Sequence, residues 1–165
     1  LIFHVGAEFK IAALLVFMIA AYTDYLDGRI ARKYQLITPF GQLMDPIADK
    51  ILVFGAYLAF VQLGIVPAWI VVAMLAREVL ITGLRLLAAN RGQVVSAQKS
   101  GKHKTVLQLV SILTFLLLLI AREIPACAPL VEPGFLAANI LLYVVLASTL
   151  YSGARLLLDN RKILL

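Results

Sequence analysis

The chain has 165 residues, of which 62% are hydrophobic and 15% are charged, and its 15 basic and 9 acidic residues give a formal net charge of +6. An ordinary soluble domain has roughly 45–50% apolar and about 25% charged residues, and one small soluble core cannot hide an apolar excess of this size. The composition excludes a disordered chain and a DNA-binding domain, and the single cysteine excludes a disulfide scaffold. The sequence predicts an all-α integral membrane protein with membrane lipids, and no nucleic acid, as partners.

Five segments approach the roughly 20 mostly apolar residues that a membrane-spanning helix needs. In chain order they cover residues 8–27, 38–63, 67–89, 104–121 and 135–158. No repeat or low-complexity linker separates them, so residues 1–165 are expected to form one transmembrane domain. Because the count is odd and the chain begins at Leu1, we expect a first spanning helix upstream. The prediction is an N-terminally incomplete six-helix transmembrane bundle with five spans in this chain.

Basic residues indicate the orientation of these segments. They cluster after the first, third and fifth segments, at Arg29, Arg32, Lys33, Arg91, Lys99, Lys102, Lys104, Arg161 and Lys162. The other two connections hold a single basic residue, Arg122. The positive-inside rule therefore places the first set of connections in the cytoplasm.

Two pairs of aspartates lie at the predicted cytoplasmic ends of the first two segments. Asp24 and Asp27 are spaced i, i+3, and Asp45 and Asp49 are spaced i, i+4, so each pair shares one helix face. The segments are antiparallel neighbours, and both pairs therefore lie at similar depth. Four converging carboxylates cannot all stay ionised without cations, and hard oxygen ligands suit Mg²⁺ or Mn²⁺, with room for two ions. Helix capping is the alternative role for any one of them.

Small and basic residues beside the aspartates indicate a phosphate ligand. Gly28 and Gly41 permit close approach of a ligand to the backbone, and Arg32 suits phosphate oxygens. A metal-bound diphosphate site is the favoured interpretation. A small cation carrier is an alternative of another class, although a carrier has no need for a diphosphate cradle.

The pattern Asp-x2-Asp-Gly-x2-Ala-Arg-x8-Gly-x3-Asp-x3-Asp resembles the signature of the CDP-alcohol phosphotransferase family. The matching residues are Asp24, Asp27, Gly28, Ala31, Arg32, Gly41, Asp45 and Asp49. The resemblance implies a six-helix membrane transferase, usually a homodimer, that moves a phosphatidyl group from a CDP-lipid to an alcohol and releases CMP. It adds Asp49 to the metal ligands and makes it the general base. The nucleotide would contact Gly28, Ala31, Arg32 and Gly41.

A second motif in the third segment and the loop after it supplies positive charge for an acceptor. Glu78, Thr82 and Arg85 form a stripe with Arg77 beside it, and Arg77 lies on the order of 15 Å below the outer helix end. An arginine at that depth should face a polar cavity or a carboxylate. The candidate acceptor-phosphate residues are Arg77, Thr82, Arg85, Lys102, Lys104 and Arg155. The alternatives are a structural ion pair of Glu78 with either arginine, positive-inside lysines, and an Arg155 that snorkels to lipid head groups.

The motifs Arg77–Arg85 and Gly101–Thr105 resemble those of bacterial family members whose acceptor is sn-glycerol 3-phosphate. This resemblance implies a step of phospholipid biosynthesis in which CDP-diacylglycerol and glycerol 3-phosphate give phosphatidylglycerophosphate and CMP. It also implies a bacterial inner (cytoplasmic) membrane enzyme with its active site facing the cytoplasm. Inositol phosphate, serine and phosphatidylglycerol remain alternative acceptors.

Overall fold

The computed structural model describes the backbone of residues 1–3, 6–33, 39–90 and 99–160, and the side chains of 1–3, 6–23, 26, 50–88 and 104–160. The helices are α1 (Ala7–Lys33), α2 (Pro39–Gln62), α3 (Ala68–Asn90), α4 (Lys99–Ala121) and α5 (Ala128–Asp159), with a short 3₁₀ turn at Pro125–Cys127. The described backbone contains no strand. The predicted all-α architecture is confirmed.

Two stretches within the described residues are long and apolar enough to cross a membrane, Lys104–Ala121 and Pro125–Asp159. The helix α3 has 23 residues but carries three charged side chains, Arg77, Glu78 and Arg85. The chain is therefore an all-α membrane protein, while the number of five spans stays a prediction.

The helix bounds differ from the predicted ones where charge or proline was taken as the end of a helix. The helix α1 continues to Lys33, and its last turns carry basic residues, which favour the negative end of the helix dipole. The helix α5 begins at Ala128, before the predicted start of the fifth segment at Phe135. Pro129 occupies the first turn of α5, where a missing N–H leaves no hydrogen bond unmade, and Pro133 follows one turn later.

Large apolar side chains from the helices fill the centre of the bundle. The largest fully buried ones are Tyr57, Phe60, Ile70, Met74, Ile112, Phe115, Leu142 and Val145, and the rings of Phe60 and Phe115 lie 5.3 Å apart between centroids. A second, smaller cluster joins α3 to α5 through Ile81, Leu84, Ala88 and Leu156. Many outward-facing side chains, such as Ile19, Val72 and Leu136, are also apolar and exposed. An apolar exterior around an apolar core suits a protein surrounded by lipid.

One ion pair fastens the beginning of α1 to the connection between α4 and α5. Lys10 is buried, and its Nζ donates to Oε1 of Glu123. The contact joins residues 113 positions apart in sequence. It lies at the end of the bundle opposite to the aspartate-bearing end of α1.

Candidate active site

An open cleft with an empty volume of about 310 Å³ lies between α2, α3 and α4. Its lining residues are Lys50, Val53, Phe54, Glu78, Lys104, Thr105 and Gln108. Three of them are charged, and they come from three different helices. A cleft that gathers charge within an apolar bundle is a candidate binding site for a polar ligand.

The Glu78 carboxylate is the centre of the charged cluster in this cleft. Its Oε1 accepts a hydrogen bond of 2.8 Å from Arg77 Nη1 and an ion-pair contact from Lys104 Nζ. The exposed fractions of the three side chains are 12% for Glu78, 9% for Arg77 and 8% for Lys104. Buried charges of this kind are stable only when paired. Two cations share one carboxylate here, so these three residues carry one positive charge in excess.

Arg77 lies on the inward face of α3, in register with buried Ile70, Met74, Ile81 and Leu84. Its Nη2 donates a hydrogen bond of 3.0 Å to Ser152 Oγ on α5. Its Nε is buried and finds no hydrogen-bond partner among the described residues. The two hydrogen bonds thus fix the guanidinium through both of its Nη atoms and leave a second N–H on each of them.

Lys50 connects the aspartate-bearing helix α2 to α3. Its Nζ donates a hydrogen bond of 2.8 Å to Thr82 Oγ1. Lys50 directly follows Asp49, and consecutive Cα atoms are about 3.8 Å apart. The backbone of Asp49 therefore lies beside the cleft. Lys50 is not among the predicted site residues, and its position next to the fourth aspartate is the sequence signal that could have indicated it.

Two other predicted phosphate ligands whose side chains are described lie elsewhere on the surface. The side chain of Arg85 is exposed. Arg155 is 59% exposed, and its Nε lies 3.9 Å from Asp159 Oδ2 one turn further along α5, a surface pair of small energetic weight. Of the predicted acceptor residues whose side chains are described, the structure groups Arg77, Thr82 and Lys104 around the cleft and leaves Arg85 and Arg155 outside it. The Arg77–Glu78 ion pair, considered as an alternative role, is present.

The predicted metal and nucleotide residues, and one predicted acceptor lysine, lie outside the part whose side chains are described. They are Asp24, Asp27, Gly28, Ala31, Arg32, Gly41, Asp45, Asp49 and Lys102. Their backbone is helical, so the i, i+3 and i, i+4 spacings put each aspartate pair on one face of α1 or α2. Such a set of carboxylates fits a hard divalent cation. Among the side chains that are described, no group of three or more His, Cys, Asp or Glu residues could hold a metal.

Comparison with known proteins shows which family the chain resembles. Residues 1–151 match the family model for CDP-alcohol phosphatidyltransferases. The chain is 39% identical over 143 residues to a Bacillus subtilis protein named CDP-diacylglycerol–glycerol-3-phosphate 3-phosphatidyltransferase, covering 87% of this chain and 70% of the relative. It is 37% identical over 144 residues to a Mycobacterium tuberculosis protein named probable phosphatidylglycerophosphate synthase, covering 87% and 63%. A Treponema pallidum protein with the same name as the Bacillus one is 39% identical over 115 residues, covering 70% and 53%. The chain thus spans between about half and 70% of the length of these relatives.

Proposed function

We propose, because the chain belongs to the CDP-alcohol phosphatidyltransferase family, that it transfers a phosphatidyl group from CDP-diacylglycerol to sn-glycerol 3-phosphate. The products are phosphatidylglycerophosphate and CMP. The names of the Bacillus and Treponema relatives support this donor and acceptor. The observation that carries the proposal is the buried cluster of Arg77, Lys104 and Glu78 in a cleft beside the second aspartate pair.

The charge of this cluster favours a phosphorylated acceptor. Glycerol 3-phosphate brings nearly two negative charges close to the diphosphate of the donor, so its binding needs fixed cations apart from any metal. Arg77 and Lys104 are buried cations beside the cleft. Serine and phosphatidylglycerol offer no terminal phosphate to such a cluster. Inositol phosphate would suit the same cations, and the names of the relatives favour glycerol 3-phosphate over it.

The aspartates of α1 and α2 supply the rest of the proposed site. The family is generally dependent on divalent metals. In this chain Asp24, Asp27, Asp45 and Asp49 are the proposed ligands of two Mg²⁺ or Mn²⁺ ions, which would neutralise the diphosphate when bound. The acceptor hydroxyl needs a carboxylate within hydrogen-bond reach to take its proton, and Asp49 is that base. Gly28, Ala31, Arg32 and Gly41 are the proposed nucleotide contacts.

The membrane location follows from the apolar helices and the family. The resemblance to bacterial family members supports a bacterial inner membrane enzyme, and the distribution of basic residues supports a site that faces the cytoplasm. The resemblance of the motifs supports a homodimer.

An acceptor panel tests the proposed function. The purified protein is given CDP-diacylglycerol and Mg²⁺ or Mn²⁺, and CMP release is measured with glycerol 3-phosphate, inositol phosphate, serine, phosphatidylglycerol or no acceptor. We expect CMP release only with glycerol 3-phosphate, and its loss in excess EDTA. Preference for another acceptor would overturn the choice of substrate, and full activity in EDTA would overturn the metal site.

A further inference from the structure

The helices α3 and α5 approach each other so closely at Arg77 that the facing position on α5 has no room for an ordinary side chain. Gly153 on α5 is buried, and a Cβ atom added to it would lie 2.7 Å from Arg77 Cγ and 3.0 Å from Arg77 Nε. Such distances fall below normal van der Waals contact. Any larger residue at position 153 must therefore displace the middle of the Arg77 side chain.

The neighbouring residue fixes the other end of the same side chain. Ser152 is 3% exposed, and its Oγ accepts the 3.0 Å hydrogen bond from Arg77 Nη2. At the other Nη atom, Nη1 donates a hydrogen bond to Oε1 of Glu78. Gly153 thus leaves space for the middle of the Arg77 side chain, and the adjacent Ser152 provides a hydrogen-bond acceptor for its guanidinium.

The packing of α3 against α5 does not depend on this polar contact. Ile81, Leu84 and Leu156 form the apolar cluster between these helices on one side of Arg77, and Met74 and Val145 belong to the main core on the other. Apolar contacts on both sides supply the burial that holds two helices together. The contacts of Ser152 and Gly153 with Arg77 therefore serve mainly to fix the position of the Arg77 side chain.

We propose that Ser152 and Gly153 are positioning residues that hold the Arg77 guanidinium ready for the acceptor phosphate. The proposal rests on the proposed function, in which Arg77 binds that phosphate. A long arginine side chain has many rotamers, and confining them before the substrate arrives lowers the entropy lost on binding. Neither residue needs to touch the substrate for this role.

The test is a set of variants in which the acceptor KM is compared with the CDP-diacylglycerol KM. Ser152→Ala and Gly153→Ala are each made in the wild type and in an Arg77→Ala background. The matched controls are Ser148→Ala, whose hydroxyl donates only within its own helix to the Val145 carbonyl, and Gly55→Ala, where an added Cβ meets nothing within 4 Å. Thermal unfolding of each variant monitors folding.

Because the freed Arg77 side chain must then be ordered when the acceptor binds, Ser152→Ala should raise the acceptor KM by up to about tenfold. We expect a similar rise for Gly153→Ala, with the KM for CDP-diacylglycerol and both controls close to wild type. In the Arg77→Ala background neither change should raise the acceptor KM further, because the residue that they position is gone.

Each other outcome overturns the inference in a distinguishable way. If Arg77→Ala raises the acceptor KM and Ser152→Ala does not, the positioning role is wrong and the proposed function stands. Equal effects in both backgrounds would show that the α5 residues act independently of Arg77. If Arg77→Ala itself leaves the acceptor KM unchanged, the proposed phosphate site fails and the positioning role fails with it. Should Gly153→Ala not fold, the Ser152→Ala cycle alone decides.

Discussion

Replacing Glu78 by glutamine should destabilise the protein and make its stability respond to phosphate. The change keeps the shape of the side chain but removes the negative charge that Arg77 and Lys104 share. All three side chains are about nine-tenths buried, so solvent screens the loss of the carboxylate charge only weakly. Removing one partner of a buried ion pair costs about 3–5 kcal/mol. For a chain of this length each kcal/mol lowers Tm by roughly 2–4 °C, which gives a decrease of about 6–20 °C.

The assay is thermal unfolding of the purified variant with and without glycerol 3-phosphate or inorganic phosphate. An anion that binds between Arg77 and Lys104 replaces the missing charge, so phosphate should raise Tm more in Glu78→Gln than in the wild type. Glu132→Gln is the matched control, because Glu132 is exposed on α5 and its change should stay within about 0.5 kcal/mol. An unchanged Tm in Glu78→Gln, or a response to phosphate no larger than that of the wild type, would refute the reasoning.

Three further predictions concern the acceptor, the base and the ion pair of Lys10 with Glu123. Arg77→Lys keeps the charge but loses the two-sided hydrogen bonding to Glu78 and Ser152, so steady-state kinetics should show a rise of about tenfold in acceptor KM; an unchanged value would contradict it. Asp49→Asn removes the proposed base, and CMP release should fall by about 10² or more while CDP-diacylglycerol still binds; turnover within a few-fold of wild type would make the assignment wrong. The hydrogen bond from Lys10 lowers the pKa of Glu123. The ionised carboxylate therefore stabilises the fold at pH values above its ordinary pKa, and this stabilisation is lost as the pH falls through the lowered pKa. Glu123→Gln should therefore reduce the fall in Tm on acidification from neutral pH; an acid dependence equal to that of the wild type would count against the pair.

The sequence alone predicts the helices because each apolar segment approaches the length of a membrane span, and their order and number agree with the α-helices of the described residues. The start of α5 is missed because prolines and a glycine resemble a loop, although proline in the first turn of a helix has no hydrogen bond to lose. The bounds of α1 are missed because the charges that follow Asp27 resemble a helix end.

The sequence predicts those site residues that are charged and lie in an apolar segment. It does not predict the residues whose role depends on how the helices pack. Arg77 and Lys104 stand out as costly charges. Ser152 and Gly153 do not, because a small residue pair in an apolar helix carries no sign that an arginine 75 positions earlier crosses it. Lys50 is missed because its place beside Asp49 is a weak signal, and its contact with Thr82 appears only in the structure.

The charges of α3 also bear on how the chain enters the bilayer during synthesis. A charged residue at the centre of an inserting helix costs roughly 2.5–3.5 kcal/mol, and α3 carries Arg77 and Glu78 near its middle. Their partners Lys104 and Ser152 belong to helices made later, and within the described part of the chain these two helices have the length and hydropathy of membrane spans. We therefore expect α3 to leave the translocation channel permanently only after α4 and α5 have been synthesised. In this part of the chain, the earlier helix would then enter the bilayer after the two helices that follow it in sequence.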